Sequence, residues 1–174
     1  TNTPYYLYGA RKGYRLGHGE QIVDGLMKGG LICEFVGYHM GVTAENIAEM
    51  YNISREEQDE YALLSHQRAC HAIEQGWFKD EVVPVEVHTR KGTRILDTDE
   101  HPRSDTTLES LAKLRPAFKK DGTVTAGNAS GLNDGGSAII MMSADKAKEL
   151  GIKPIARVVS SASGAVEPRI MGMG

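Results

Sequence analysis

At 174 residues, with 40% hydrophobic and 25% charged side chains, the chain has the make-up of a globular protein long enough for its own core. A net charge of −3 argues against general nucleic-acid binding, and no apolar run is long enough for a membrane span or reads as a leader. Cys33 and Cys70 are too few and too unpatterned for a disulfide framework, so a reducing, cytoplasmic setting is expected.

Residues 1–19 are rich in Tyr, Gly and Arg. Residues 5–7 and 14–16 flank G-A-R-K-G and predict a short hairpin arm over about 5–18 with a basic tip. Ile22, Val23, Leu26 and Met27 recur at helical intervals, which predicts a helix over 20–28 stopped by Gly29 and Gly30. Thr43 is the expected cap of a helix reaching Tyr51. Ser54 with Glu57 reads as a capping box opening a longer helix that ends at Gly76. Along it, Tyr61, Leu64, Ala69, Ala72 and Ile73 form the expected inner side, with Glu57, Asp59, Glu60, Gln67 and Arg68 outward. His66 and Cys70 stand four apart, too few ligands for a metal site, and a mid-helix Cys70 has no positive helix N-terminus to activate it.

Residues 82–87 and 93–96 predict a hairpin around R-K-G, with Pro84 marking an edge. Cations then gather between Arg90 and Lys120, interleaved with Asp97, Asp99, Glu100 and Asp105. Such a mixture is either a solvated surface or a place where a guanidinium meets phosphate and stacks on a base. Thr106 or Thr107 opens a short helix that turns Leu108, Leu111 and Leu114 inward.

The stretch of greatest interest is residues 122–136, G-T-V-T-A-G-N-A-S-G-L-N-D-G-G. Residues 123–126 read as a short strand, and the Asn, Ser and Asp among glycines read as a tight loop, serving either as a set of Asx turns or as a ligand-binding loop. An apolar run at 137–142, a Lys/Glu helix at 144–150 ended by Gly151, and a second strand-like run at 155–162 follow in the order of an α/β layer.

These residues also carry a resemblance. V-T-A-G-N-A-S-G-L-N-D-G, together with G-Y-H-M-G-V-T-A-E-N at 37–46, S-R-E-E-Q-D at 54–59, F-K-D-E at 78–81, Val83-Pro84 and K-L-R-P-A-F at 113–118, resembles the thiolases in family order. The resemblance covers essentially the whole chain. It implies an α/β thiolase-like fold, mostly the inserted α+β loop domain (1–132, with a coenzyme A part at 31–132), then the end of the N-terminal core domain (133–153) and the start of the C-terminal one (154–174). It also implies that the arm joins subunits into a dimer or tetramer.

By the same resemblance, Leu31, His39 and Met40 lie against the pantetheine arm of coenzyme A, as do Ala126 and Ser130. Arg103 meets the nucleotide, Ser110, Leu114, Ala117 and Phe118 border adenine and pantetheine, and Met171 overhangs the substrate pocket. His101 departs from the family, where Tyr is frequent. No segment matches the family's nucleophilic Cys, Asn-Glu-Ala-Phe, Gly-His-Pro or C-terminal Cys motifs, so no catalytic residue is carried over. The missing initiator Met and the stop at Gly174 raise the same expectation, that of a central piece of a longer protein. The implied activity is reversible Claisen condensation of two acetyl-CoA to acetoacetyl-CoA and CoA, with coenzyme A as substrate and product and no cofactor, metal, nucleic-acid or membrane partner. The alternatives are a non-catalytic coenzyme-A-binding or oligomerisation module and a thiolase of longer acyl-chain preference.

Overall fold

Helix α2 (Arg55–Glu74) is the longest element of this computed structural model, which describes residues 2–174. It begins where the sequence places it: Ser54 Oγ accepts the Glu57 amide and Glu57 returns a bond to the Ser54 amide, satisfying two donors that an α-helix leaves open. Its polypeptide turns away at Gly76, whose φ of +71° favours glycine. The face it buries is only partly the expected one, with Ala69, Ala72 and Ile73 inward. Asp59 and Ala72 are buried, whereas Tyr61 is 72% exposed and Leu64 is also exposed. The inward stripe is carried by Arg55, Asp59, Ala62, His66, Ala69 and Ile73, all buried or half-buried, with Ala72 beside it, so small and hydrogen-bonded side chains won the contact over the aromatic one.

Helix α1 (Met40–Tyr51) is capped by His39 rather than Thr43: His39 Nδ1 accepts the Gly41 amide at 2.9 Å. Thr43 lies inside the first turn and donates its hydroxyl to the Met40 carbonyl at 2.6 Å. Asn52 ends the helix in the left-handed region, φ +54°, where an Asn is tolerated. A short 3-10 helix, Pro168–Met173, packs along α1, with Asn46 Nδ2 donating to the Arg169 carbonyl at 2.9 Å.

The arm pairs differently from the sequence expectation. Strand β1 (Tyr5–Tyr6) is antiparallel to β2 (Val23–Asp24), enclosing a 3-10 helix at Tyr8–Lys12, and residues 14–16 form no strand. The expected helix over 20–28 therefore starts late. It is helical from Gly25 and continues as a π-helix, Met27–Leu31, through both glycines that were expected to stop it. Asp24 Oδ1 accepts the Leu26 amide and so caps this turn from the strand end.

The second hairpin forms about the predicted turn, β3 (Val85–Thr89) against β4 (Gly92–Leu96), with its first strand later than the expected 82–87 and Gly92 at φ +124° in the turn. Helix α3 (Leu108–Ala112) is opened by Thr107 in a capping box with Ser110. Leu111 is buried at 3%, but Leu108 and Leu114 stay exposed. Helix α4 (Ala144–Glu149) is capped by Ser143 and leaves through Gly151 at φ +66°.

Three predicted strands take another form. Residues 123–126 contribute a single bridge, Thr125 to Pro116, and the runs 137–142 and 155–162 form no strand. A strand needs a neighbouring ladder as well as β-prone side chains, and without one Ile139, Ile140, Val158 and Val159 stand exposed. The buried apolar set is small (Ala48, Ala72, Leu111, Val124 and Ala147), and Thr43, Glu45, Asp59 and Thr125 are buried beside it among the described residues. The junction of α1, α2, α3 and the glycine-rich loop is thus held by hydrogen bonds as much as by apolar contact.

Candidate functional site

The glycine-rich loop is fastened at two buried carboxylates. Glu45, 4% exposed on α1, accepts the Thr123 amide on both oxygens at 2.9 Å, the Val124 amide at 2.8 Å and the Thr123 hydroxyl at 3.0 Å. Gly122 passes so close to this carboxylate that a Cβ there would collide with it. Gln58 of α2 adds a bond to the Thr123 hydroxyl at 2.8 Å. Burying a carboxylate is costly unless its lone pairs are filled, and here backbone donors fill them.

Asp59, also 4% exposed, holds the far side of the loop. Its Oδ2 receives Arg55 Nε at 2.7 Å and its Oδ1 receives Asn128 Nδ2 at 2.9 Å. Asn128 folds back on the loop: its Oδ1 accepts the Thr125 amide at 2.7 Å while Nδ2 also donates to the Thr123 carbonyl at 3.1 Å. The Arg55 guanidinium then donates from one terminal nitrogen to the Leu111 and Leu114 carbonyls, at 2.7 and 3.1 Å, at and just past the end of α3. Gly127 lies beneath Leu111 and Leu114, where a Cβ would come within 2.5 Å of the Leu114 methyl. One ion pair therefore fixes the end of α3 against the loop.

On the other side, the Phe118 ring stacks on His39 with centroids 4.6 Å apart and planes 19° apart. Gly41 faces the same ring without room for a Cβ. Because His39 Nδ1 is an acceptor, the neutral ring carries its proton on Nε2, free of the helix cap. Leu31 ends the π-helix one residue before Ile32, which bridges to His39, and Met40 opens α1. Leu31, His39, Met40 and Phe118 are half-buried around this stack.

The remaining predicted site residues face outward. Leu114, Ala117, Ala126 and Ser130 are exposed along the loop and the chain leading to it, with the Ala117 amide bonded to the Val124 carbonyl at 2.9 Å. Ser110 is exposed but engaged, since its hydroxyl closes the α3 cap. Arg103 is anchored through its backbone, its amide donating to His66 Nδ1 at 3.2 Å, so His66 serves as an acceptor for the chain. Beside it is an open depression of about 220 Å³ lined by Gln67, Cys70, His71, Glu74 and Arg103. His101 covers Gly131, next to Ser130. Met171 is 43% exposed in the 3-10 helix on α1, away from the loop's own contacts.

Sequence reasoning missed Glu45, Arg55 and Asp59. The signal for Asp59 was present, in an Arg55–Asp59 pair four apart on the same helical stripe as Ala62 and Ala69. Charge alone had assigned it outward.

An outward-facing loop of small residues, backed by buried carboxylates and bordered by an aromatic stack, is the candidate site of this α/β scaffold. Residues 1–145 match the family model for the thiolase N-terminal domain, and the chain belongs to the thiolase family. It is 56% identical over 172 residues to the acetyl-CoA acetyltransferase of Pseudomonas aeruginosa, covering 98% of this chain and 44% of that protein. It is 54% identical to the one from Escherichia coli K12, covering 98% and 43%. Among solved structures, the Bacillus anthracis acetyl-CoA acetyltransferase superposes with a TM-score of 0.84 at 51% identity, over 98% of this chain and 43% of that one. Human mitochondrial 3-ketoacyl-CoA thiolase in complex with CoA gives a TM-score of 0.84 at 45% identity, over 99% and 42%. The fold is thiolase-like, and the chain spans less than half the length of these relatives.

Proposed function

We propose that this chain forms the coenzyme-A-binding walls of an acetyl-CoA acetyltransferase, which joins two acetyl-CoA into acetoacetyl-CoA and CoA or runs that step backwards. The observation that carries the reading is the fastened, outward-facing loop in a chain 56% identical to an acetyl-CoA acetyltransferase. Leu31, His39, Met40, Ala126 and Ser130 line the pantetheine. Arg103, Ser110, Leu114, Ala117 and Phe118 border the nucleotide end, and Met171 overhangs the acyl pocket. Coenzyme A is substrate and product, and the reaction takes no further cofactor or metal.

The condensation forms a thioester on a thiol, removes an α-proton from a second acyl-CoA and passes the carbanion to that thioester. Neither cysteine here is assigned the thiol: Cys70 stands near the C-terminal end of α2, far from a helix N-terminus, and Cys33 lies in a turn with its amide bonded to the Tyr38 carbonyl. In this reading the reactive groups come from sequence outside these residues, and the walls contribute orientation. Residues 1–132 correspond to a loop domain, with 133–153 and 154–174 as parts of two core domains whose sheets would take up the exposed runs. The tyrosine-rich arm serves a homo-oligomeric contact in a cytoplasmic enzyme. Among the described residues, no helix is long and apolar enough to cross a membrane.

Calorimetric titration of the full-length protein with CoA tests the site. Ser130→Trp places an indole where the pantetheine runs, and it should abolish the binding heat and raise the apparent KM. Wild-type affinity in that variant would remove the loop from the site. The isolated chain should show no condensation in a thioester-absorbance assay, and turnover by it would assign Cys33 or Cys70 a role denied here.

A further inference from the structure

We infer that Gly29 and Gly30 are positioning residues, winding the chain into the π-turn that aims Leu31 at the pantetheine. This rests on the coenzyme A reading above and gives a task to residues that touch no ligand. The segment Gly25–Cys33 is pinned at both ends. At its start the Gly25 amide donates to the Pro4 carbonyl at 3.1 Å, Asp24 Oδ1 accepts the Leu26 amide at 2.8 Å, and a Cβ on Gly25 would collide with the Pro4 carbonyl and the Tyr6 ring. At its end Ile32 bridges to His39 and the Cys33 amide donates to the Tyr38 carbonyl at 3.0 Å. Between these points the Ile32 amide donates to the Met27 carbonyl at 2.8 Å, five residues back, which is the bond of a π-turn.

An α-turn would close on the Leu31 amide instead and bring the chain to His39 one residue early. Leu31 would then pair with His39, residue 30 would take the place of the half-buried Leu31, and the pantetheine wall would lose its leucine. The two glycines are not there for space or for a left-handed backbone. Both are exposed, neither has a positive φ, a Cβ on Gly29 would meet nothing within 4 Å, and one on Gly30 would meet only a Leu26 methyl at 3.9 Å. What they contribute is a low preference for the α-helix, so that the wider turn demanded by the two pinned ends meets little opposition. Alanine fits both places and favours the α-turn, which separates the effect of the turn from any effect of a clash.

The test is a double-mutant cycle in the full-length protein, read by calorimetric titration with CoA. Gly29→Ala with Gly30→Ala should weaken CoA by about tenfold, the size of one apolar side chain's lost contact, and Leu31→Ala should do the same. All three substitutions together should be no worse than Leu31→Ala alone, because a truncated side chain has nothing left to aim. The Cys33 amide should exchange its hydrogen faster in the glycine variant, as its bond to Tyr38 goes with the register. Wild-type affinity in the glycine variant overturns the inference, and so does a Cys33 amide that exchanges as in the wild type. Losses that multiply to about a hundredfold overturn it as well, since the glycines would then act through general destabilisation. Should the paired substitution fail to fold, Gly29→Ala alone is put through the same cycle. A wild-type protein that binds no CoA sinks the proposed function itself, and that outcome is seen before any variant is compared.

Discussion

Glu45 and Thr123 stand 78 residues apart in the chain, yet both oxygens of the Glu45 carboxylate accept the Thr123 amide at 2.9 Å. The same carboxylate takes the Val124 amide and the Thr123 hydroxyl. Glu45→Ala leaves these buried donors without acceptors, and the expected loss of stability is about 3 kcal/mol. Glu45→Gln should cost less but still destabilise, because its amide turns a donor toward donors. Denaturant unfolding of the full-length protein measures both, and a Glu45→Ala midpoint equal to the wild type would contradict the assigned role.

Gly41 faces the Phe118 ring at the start of α1. Gly41→Ala would push a methyl group into that ring, part the His39–Phe118 stack and destabilise by about 1–3 kcal/mol, the usual cost of overpacking. A crystal structure of the variant should show the two rings further apart than the 4.6 Å seen here. Unchanged stability with the stack in place would mean that the backbone yields without cost.

Arg103 is exposed, and its chain is fixed by the amide bond to His66. Under the proposed function its guanidinium is free to reach a phosphate, and Arg103→Ala should weaken CoA by about 1–3 kcal/mol with the loop hydrogen bonds intact. Titration calorimetry reads this directly. An unchanged dissociation constant would take Arg103 off the site.

The arm should be sensitive to pH at both extremes. Tyr14 Oη and the Gly9 amide both donate to Glu20 Oε2 at 2.6 Å. The Tyr14 bond first, and then the Gly9 amide, hold the Glu20 carboxyl below its ordinary value. The bond to Glu20 first, with desolvation and the Glu20 charge behind it, raises the Tyr14 phenol. A lowered carboxyl pKa gives support that is present above the free carboxyl's pKa and lost as pH falls through the folded value. A raised phenol pKa gives support that is full below the free phenol's pKa and lost as pH rises through the folded value. The Gly9 amide resonance should therefore hold steady near neutrality and shift on acidification and again in strong alkali. In Tyr14→Phe the alkaline step should vanish and the acid step move up. A Gly9 resonance that ignores pH throughout would show that the contact does not form.

Local chemistry was legible wherever a segment decides its own conformation. The Ser54–Glu57 box, the Thr107 cap, the turn before Gly92 and the exit at Gly151 follow from side chains that satisfy nearby backbone groups. The arm was misread because Val23 and Asp24, rather than residues 14–16, meet Tyr5 and Tyr6, and nothing local chooses between those partners. His39 displaced Thr43 as the cap of α1 because its ring could also stack on Phe118, a residue far along the chain.

By itself the sequence determined the starts of α2 and α3, the hairpin turn, the glycine-rich loop and the family resemblance, because these depend on neighbours within a few residues or on a motif read in order. Only the tertiary structure decided that Asp59 faces inward, that Glu45 binds the loop and that one Arg55 side chain serves α3 and α2 together. A buried charge is stable only where distant donors converge on it, and the pattern of residues along a chain does not record which donors those are.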